Sequence, residues 1–163
     1  MTDLVVPLYR LPSPTSQLAM LSQEGVVIRR AMAYEAHKVL SWVEERFGRG
    51  WRSEVACAFG RTPVSCFVAL KQQTLVGFAA YDVTYLNFFG PTGVDVSHRG
   101  KGVGTALLNA ALDALKHRGY AYAIIGNASN AEFYLRTVGA IPLGDSPPGA
   151  YPLPIRDTPP PER

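Results

Sequence analysis

Residues 94–105 read Val94-Asp95-Val96-Ser97-His98-Arg99-Gly100-Lys101-Gly102-Val103-Gly104-Thr105 and join an apolar, strand-like run to an amphipathic one. Three alternating glycines remove Cβ atoms where the chain turns into a helix, so successive backbone N–H groups can converge on one anion. The N-terminus of a helix adds about half a positive charge, and Arg99 and Lys101 stand beside it. The stretch predicts a strand, a phosphate-binding turn and a helix. Glycines that only permit a tight turn are the alternative.

Two well-known phosphate-binding loops do not fit this stretch. A P-loop needs a lysine followed by serine or threonine, whereas Lys101 is followed by Gly102. The dinucleotide-binding fingerprint G-x-G-x-x-G needs a glycine where the chain has Thr105. The pattern therefore predicts neither a P-loop enzyme nor a Rossmann fold.

The residues that follow the turn predict a βαβ arrangement. Apolar residues at four-residue steps predict a helix from Val103 to Leu115, which Gly119 ends. The nearly all-apolar run 120–125 is typical of a buried parallel strand. A helix over 130–138, capped by Asn130, and a strand after Gly139 complete the predicted core.

The residues before the turn predict antiparallel structure. A strand at 26–28 is followed by a helix that Gly48 ends, and a short helix over 53–59 would have Ser53 as its N-cap. Runs 64–70 and 75–85 form a predicted hairpin, and a strand over 87–96 continues it. The predicted fold class is α+β, with a mixed, mostly antiparallel sheet flanked by helices.

Length and composition indicate a soluble globular protein of about one domain. The chain has 163 residues, of which 47% are hydrophobic and 18% charged, with a net charge of +3. These values exclude a disordered chain and a coiled coil, and no apolar run is long enough to span a bilayer. Because no basic-then-apolar leader is visible, a cytoplasmic location is expected. The two cysteines, Cys57 and Cys66, are expected to be buried, reduced thiols, and no group of residues has metal-ligand spacing.

The predicted organisation has three parts. Residues 1–24 form an N-terminal arm with one short strand at 4–9, and residues 25–150 form the single folded domain. Residues 151–163 form a proline-rich C-terminal tail.

The segment Arg99-Gly100-Lys101-Gly102-Val103-Gly104 resembles the R-x-x-G-x-G acyl-CoA signature of the GCN5-related N-acetyltransferases, the GNAT superfamily. The resemblance extends to residues 90–95, which are similar to the family's fourth strand, and to 121–125, which are similar to its fifth. Asn127, Phe133-Tyr134 and Gly139-Ala140 resemble the motif that follows, although the spacing from Tyr134 to Gly139 is one residue longer than usual.

The resemblance implies acyl transfer from acetyl-CoA to an amine, with the acyl-CoA held between a splayed strand pair. It implies that pantetheine pairs with the fourth strand and that the glycine turn cradles the pyrophosphate. The implied cofactor-binding residues are Thr92, Val94, Arg99, Gly100, Lys101, Gly102, Val103, Gly104, Thr105 and Asn127. Asn130 is expected to cap the next helix instead. His98 is either a phosphate contact or an exposed loop residue.

Transfer from a thioester needs a neutral amine, a polarised carbonyl and a proton for the departing thiolate. The resemblance makes Tyr134 the proton donor, since a phenol stays protonated at neutral pH; a core aromatic residue is the alternative. The general base is the open question, because no ordinary base stands over 85–89. Asp82 is the nearest carboxylate and the candidate base. A salt-bridged Asp82 and a proton relay through water are the alternatives.

The predicted function is therefore an N-acetyltransferase in which a primary amine attacks acetyl-CoA directly in a ternary complex. A non-catalytic acyl-CoA sensor or regulatory module is the alternative. The acceptor is expected to be a small-molecule or peptide amine that contacts the first helix, residues 50–61 and the strand face around 81–85. Neither a nucleic acid nor a membrane is an expected partner, because the chain has no basic stripe interleaved with aromatic residues and no long apolar run. Homodimerisation is left open.

Overall fold

A computed structural model describes residues 2–144 and 149–156. The strands are β1 (Thr2–Pro7), β2 (Val26–Arg30), β3 (Cys66–Lys71), β4 (Thr74–Tyr81), β5 (Phe88–Val94), β6 (Tyr122–Ala128) and β7 (Ile141–Pro142). The helices are α1 (Thr15–Gln23), α2 (Ala36–Phe47), α3 (Arg49–Ala58), α4 (Val103–His117) and α5 (Ala131–Val138). Met1, 145–148 and 157–163, which the predicted arm, domain and tail include, lie outside the described residues.

One sheet of seven strands organises the fold, in the order β2-β3-β4-β5-β6-β1-β7. Every described neighbouring pair is antiparallel except β5 and β6, which are parallel. The helix α4 connects this parallel pair, as a crossover between parallel strands requires. The predicted mixed, mostly antiparallel sheet flanked by helices is confirmed.

Helices cover both faces of the sheet. The neighbours Phe78 and Ala79 in β4 belong to different apolar clusters, because successive side chains of a strand point to opposite faces. Ala79 packs in the cluster with α4, where Leu107 and Leu112 are fully buried. Phe78 packs with α2 and α3. We call these the α4 face and the α3 face.

The N-terminal segment contributes the strand β1 to the sheet, and β1 begins two residues before the short strand predicted at 4–9. The strand β1 pairs with β6 on one side and with β7 on the other, and Leu4 and Val6 are fully buried. Pro7, Pro12 and Pro14 suggested an irregular chain, but Pro7 is the last residue of β1 and the other two follow the strand, so none interrupts the alternating apolar positions that fill the core. The other predicted boundaries stay predictions.

Turns with positive φ set the ends of several elements. Gln72 and Gln73 adopt φ values of 50° and 63°, which suits the two-residue turn of the predicted hairpin. Strand β4 ends earlier than predicted, because Asp82 has a φ of 54° and turns the chain. Helix α3 begins directly after Gly48, so Ser53 lies inside it and is not its cap. No helix in the described residues is long and apolar enough to cross a membrane.

Candidate active site

A cleft opens where β5 and β6 separate. Their ladder holds only two residue pairs, Phe88 with Ile124 and Phe89 with Ile125, although both strands continue further. The cleft has a volume of about 330 Å³. It is lined by Trp51, Glu54, Phe89, Gly90, Pro91, Thr92, Ile125, Gly126, Asn127, Ala128, Ser129, Tyr134 and Tyr151. The gap in the sheet therefore lies where the sequence analysis expects a splayed strand pair.

The glycine turn follows the last residue of β5. Gly100 and Gly102 have φ values of 72° and 80°, a region that residues with a Cβ rarely adopt. The first hydrogen bond of α4 runs from the Ala106 N–H to the Gly102 carbonyl, at 3.0 Å. Within the described chain, the N–H groups of residues 100–105 have no hydrogen-bond acceptor. Unpaired N–H groups at a helix N-terminus form a suitable site for an anion. We call residues 99–105 the anion seat.

Two basic side chains of the anion seat form hydrogen bonds with the backbone that precedes it. Arg99 Nε donates to the Val94 carbonyl at 3.0 Å, and Lys101 Nζ donates to the Ser97 carbonyl at 2.9 Å. Both side chains are exposed. Hydrogen bonds from the Ser97 hydroxyl and from Arg46 lower the pKa of nearby Asp95 to about 2. Asp95 is therefore ionised at neutral pH, but Arg46 offsets its charge and leaves the seat positive.

The other predicted cofactor residues lie along β5 and the start of α4. Thr92 lines the cleft, and its hydroxyl donates to the Phe78 carbonyl at 2.9 Å. The side chain of Val103 is buried in the core, so only its backbone faces the seat. A Cβ added at Gly104 would lie 3.6 Å from Val94 Cγ2, an ordinary contact. Thr105 is half-buried in the first turn of α4.

Tyr134 lies on α5, and its ring enters the cleft from the α4 face. It packs edge-on against Phe89 with the ring centroids 6.2 Å apart. Burial raises the pKa of Tyr134 above its ordinary value of 10. The side chain of Asn130 accepts from the Phe133 N–H at 3.3 Å, so it caps α5 as predicted. Tyr134 is therefore a protonated phenol held at the edge of the cleft.

Asn127 lies on β6, directly beyond the ladder with β5. Its φ is 53°, and its N–H donates to Asp3 Oδ1 at 2.7 Å. The register of β6 against β1 shifts at this point, which marks a β-bulge. The bulge presents the exposed Asn127 at the wall of the cleft.

A model of the acetyltransferase (GNAT) family matches residues 28–140. The chain belongs to this family. No curated protein matches the chain significantly. The resemblance noted in the sequence is therefore confirmed at the level of the family.

Solved structures show the same GNAT fold at low sequence identity. A GCN5-related glucosamine N-acetyltransferase region of a fungal multi-domain GH3 beta-N-acetylglucosaminidase superposes with a TM-score of 0.69 and 18% identity, over 86% of this chain and 19% of that one. A GCN5-related N-acetyltransferase from Sphaerobacter thermophilus gives a TM-score of 0.60 and 18% identity, over 86% and 47%. An aminoglycoside acetyltransferase from an uncultured soil metagenomic sample gives 0.54 and 16% identity, over 83% and 97%. The chain thus spans less than half of the first two proteins.

The structure corrects the placement of Asp82 in this GNAT chain. Asp82 is fully buried at the end of β4 and does not line the cleft. One carboxylate oxygen accepts from the Asn87 N–H at 2.6 Å, and the other lies 2.9 Å from Arg118 Nη1. One oxygen therefore closes the loop before β5 and the other pairs with the residue that follows α4, which is the salt-bridged alternative, and Asp82 does not line the cleft.

The carboxylate that the cleft does contain belongs to Glu54. It lies on α3, three residues after Trp51, so both residues occupy one side of that helix. Glu54 Oε1 accepts a hydrogen bond from the Thr84 hydroxyl. The sequence analysis did not consider Glu54 as a base, and its spacing from Trp51 was the available signal. Tyr151, in the predicted tail, gave no sequence signal.

The two thiols differ. Cys66 is buried as expected, and burial raises the pKa of its thiol to about 12. Cys57 is exposed on α3, which corrects its predicted burial. The described residues hold no group of three or more His, Cys, Asp or Glu that is placed to bind a metal ion.

Proposed function

We propose that the chain is an acetyl-CoA-dependent N-acetyltransferase that transfers the acetyl group to a primary amine by direct attack in a ternary complex. One observation carries the proposal. One cleft has a protonated phenol on the α4 face and a carboxylate on the α3 face, and β5, which forms part of its wall, leads on through residues 95–98 to the anion seat.

The anion seat binds the diphosphate of acetyl-CoA through the N–H groups of residues 100–105, with Arg99 and Lys101 adding positive charge. The pantetheine arm then extends along β5 past Val94 and Thr92 and past Asn127 on β6. This path places the thioester beside Phe89, where the ladder begins and Tyr134 lies. The seat and the cleft are thus two parts of one donor site.

The two faces of the cleft supply the general base and the general acid of the proposed reaction. Glu54, directly or through a water molecule, takes a proton from the acceptor ammonium, and the amine lone pair then attacks the thioester carbonyl carbon. The C–S bond breaks as the amide forms, and Tyr134 donates its hydroxyl proton to the departing thiolate. The second proton of the attacking nitrogen passes through water to the Tyr134 phenolate, and Glu54 releases its proton to solvent, so that both groups are restored. Holding amine and thioester together supplies much of the rate enhancement. Glu54 thus takes the role that the sequence analysis gave to Asp82.

The acceptor is a small-molecule or peptide amine, and the enzyme works in the cytoplasm. We keep the sequence predictions that the protein binds no metal, no nucleic acid and no membrane. Homodimerisation stays open.

The deciding experiment incubates the purified protein with acetyl-CoA and an amine library while free thiol is followed. Thiol release that depends on the amine, together with the acetylated product in a mass spectrum, supports the enzyme. CoA binding without amine-dependent release would instead support the sensor. The presence of Glu54 in the cleft favours the enzyme, because a non-catalytic sensor needs no general base.

A further inference from the structure

The C-terminal segment beyond β7 returns to the cleft. The Ala150 N–H donates to Asp3 Oδ2 at 3.0 Å, and the Ala150 carbonyl accepts from the Tyr85 hydroxyl at 2.9 Å. The next residue, Tyr151, is half-buried and forms part of the cleft wall. The N–H and the carbonyl of Ala150 are therefore both hydrogen-bonded, directly before the residue that enters the cleft.

One carboxylate ties this segment to the sheet. Asp3 Oδ2 accepts from Ala150, and Asp3 Oδ1 accepts from the Asn127 N–H at 2.7 Å. Gly149 has a φ of 74°, and a Cβ there would lie 2.9 Å from Asp3 Oδ2. The segment approaches Asp3 so closely that a side chain at position 149 would collide with it. Asp3 thus fixes Tyr151 relative to the β6 bulge.

The ring of Tyr151 occupies the space over Gly126. A Cβ at Gly126 would lie 2.6 Å from Tyr151 Cε2 and 3.0 Å from its hydroxyl oxygen. Because Ile125 packs in the α4-face core and side chains alternate along a strand, Gly126 faces the α3 face. Tyr151 therefore stands on the α3 face at the vertex where β5 and β6 separate, opposite Tyr134.

The polar surroundings of Tyr151 favour a cationic acceptor. Its side chain lies near Thr84, whose hydroxyl donates to Glu54. In the described part of the chain, Glu54 is the only acidic residue that lines the cleft, and no Lys or Arg lines it. An ammonium group between Trp51 and Tyr151 would meet two aromatic rings and one carboxylate, whereas an acceptor with its own carboxylate would be repelled.

We propose that Tyr151, positioned by Asp3, is a specificity-determining residue that restricts the acceptor to slender primary amines. The amine is carried on an unbranched CH₂ carbon with no carboxylate beside it. The inference rests on the proposed acetyltransferase activity and names the acceptor class of that same cleft. An α-branched amine would place its branch against the ring of Tyr151 as the nitrogen approaches Glu54.

The test compares amines in matched pairs that differ by one methyl group on the amine-bearing carbon, for example benzylamine with 1-phenylethylamine and 1-aminohexane with 2-aminohexane. The measured quantity is the ratio of kcat/KM for the unbranched amine to that for the branched amine. One methyl group in a fitted pocket discriminates by about 10- to 200-fold. We expect a ratio in that range for the wild-type protein, a drop to within threefold of unity in Tyr151→Ala, and the wild-type ratio in Tyr151→Phe, which keeps the ring.

Asp3→Ala is the second variant, because it leaves the ring intact but releases the segment that carries it. Its ratio should fall as in Tyr151→Ala. Tyr34→Ala, at an exposed tyrosine outside the cleft lining, is the control and should keep the wild-type ratio. Thermal unfolding of each variant establishes that it is folded. Hydrogen exchange provides a readout without turnover, since the Ala150 amide should be protected in the wild-type protein and exposed in Asp3→Ala.

The outcomes separate the two proposals. Turnover with a ratio that is unchanged in Tyr151→Ala overturns the role of Tyr151 and leaves the acetyltransferase standing. An unprotected Ala150 amide in the wild-type protein overturns the positioning by Asp3. If CoA binds but no amine in the panel is acetylated, the proposed activity fails, and the acceptor role of Tyr151 fails with it.

Discussion

Replacing Gly104 by alanine should stabilise the protein and weaken CoA binding at the same time. Gly104 is the second residue of α4 and does not have a positive φ, so alanine fits its backbone. The added Cβ would make an ordinary 3.6 Å contact with Val94 Cγ2. Since Cβ atoms of a helix tilt toward its N-terminus, the methyl group would lean toward the anion seat.

The two effects have separate magnitudes. An alanine is more favourable than glycine in a helix by about 0.5–1 kcal/mol, which for a chain of this size raises Tm by roughly 1–4 °C. A methyl group that moves the diphosphate away from one N–H group removes a hydrogen bond to a charged group, worth about 1.5–3 kcal/mol. That loss corresponds to a Kd for CoA about 10- to 150-fold higher.

Gly50→Ala is the matched control. Gly50 is also the second residue of its helix, α3, and a Cβ there would have no neighbour within 4 Å. Both variants are compared by thermal unfolding without ligand and by calorimetric titration with CoA. Gly50→Ala should raise Tm similarly and leave the Kd unchanged. A Gly104→Ala protein that is more stable and binds CoA within twofold of the wild-type protein would refute the placement of the diphosphate at these N–H groups.

Four further outcomes follow from the cleft and the thiols. Tyr134→Phe should lower kcat about 100-fold while the Kd for CoA changes less than twofold; equal losses in both would indicate a structural role for the hydroxyl. Because burial raises the pKa of Tyr134 above its ordinary value, most of the phenol stays protonated up to about pH 10, and kcat/KM should show no alkaline decline below about pH 9; a decline beginning near pH 8 would contradict its role as the acid. Glu54→Gln should lower kcat by about 100-fold or more with CoA binding intact, as measured by stopped-flow thiol release and calorimetry. A thiol reagent should label Cys57 alone in the native protein and also Cys66 in denaturant, since the buried thiol has a pKa of about 12; two rapid equivalents in native buffer would contradict this burial.

Interactions between residues close together in the sequence determined the glycine turn, α4 and the cap of α5. The alternating glycines and the apolar stripe after them predicted the turn and α4, because the conformation of a glycine and the periodicity of a helix are properties of neighbouring residues. Asn130 was predicted as a cap for the same reason, since a cap is completed within one helical turn.

Tertiary structure alone decided which carboxylate lies in the cleft. Asp82 and Glu54 are both acids near apolar residues in the sequence, but Arg118 and Asn87 bind the first while α3 carries the second to the gap between β5 and β6. The pairing of β1 with β6 joins residues more than a hundred positions apart in the chain. The hydrogen bonds of Asp3 that hold Tyr151 at the cleft also span more than a hundred positions. Such contacts depend on which strands become neighbours in the sheet, and no local pattern encodes that choice.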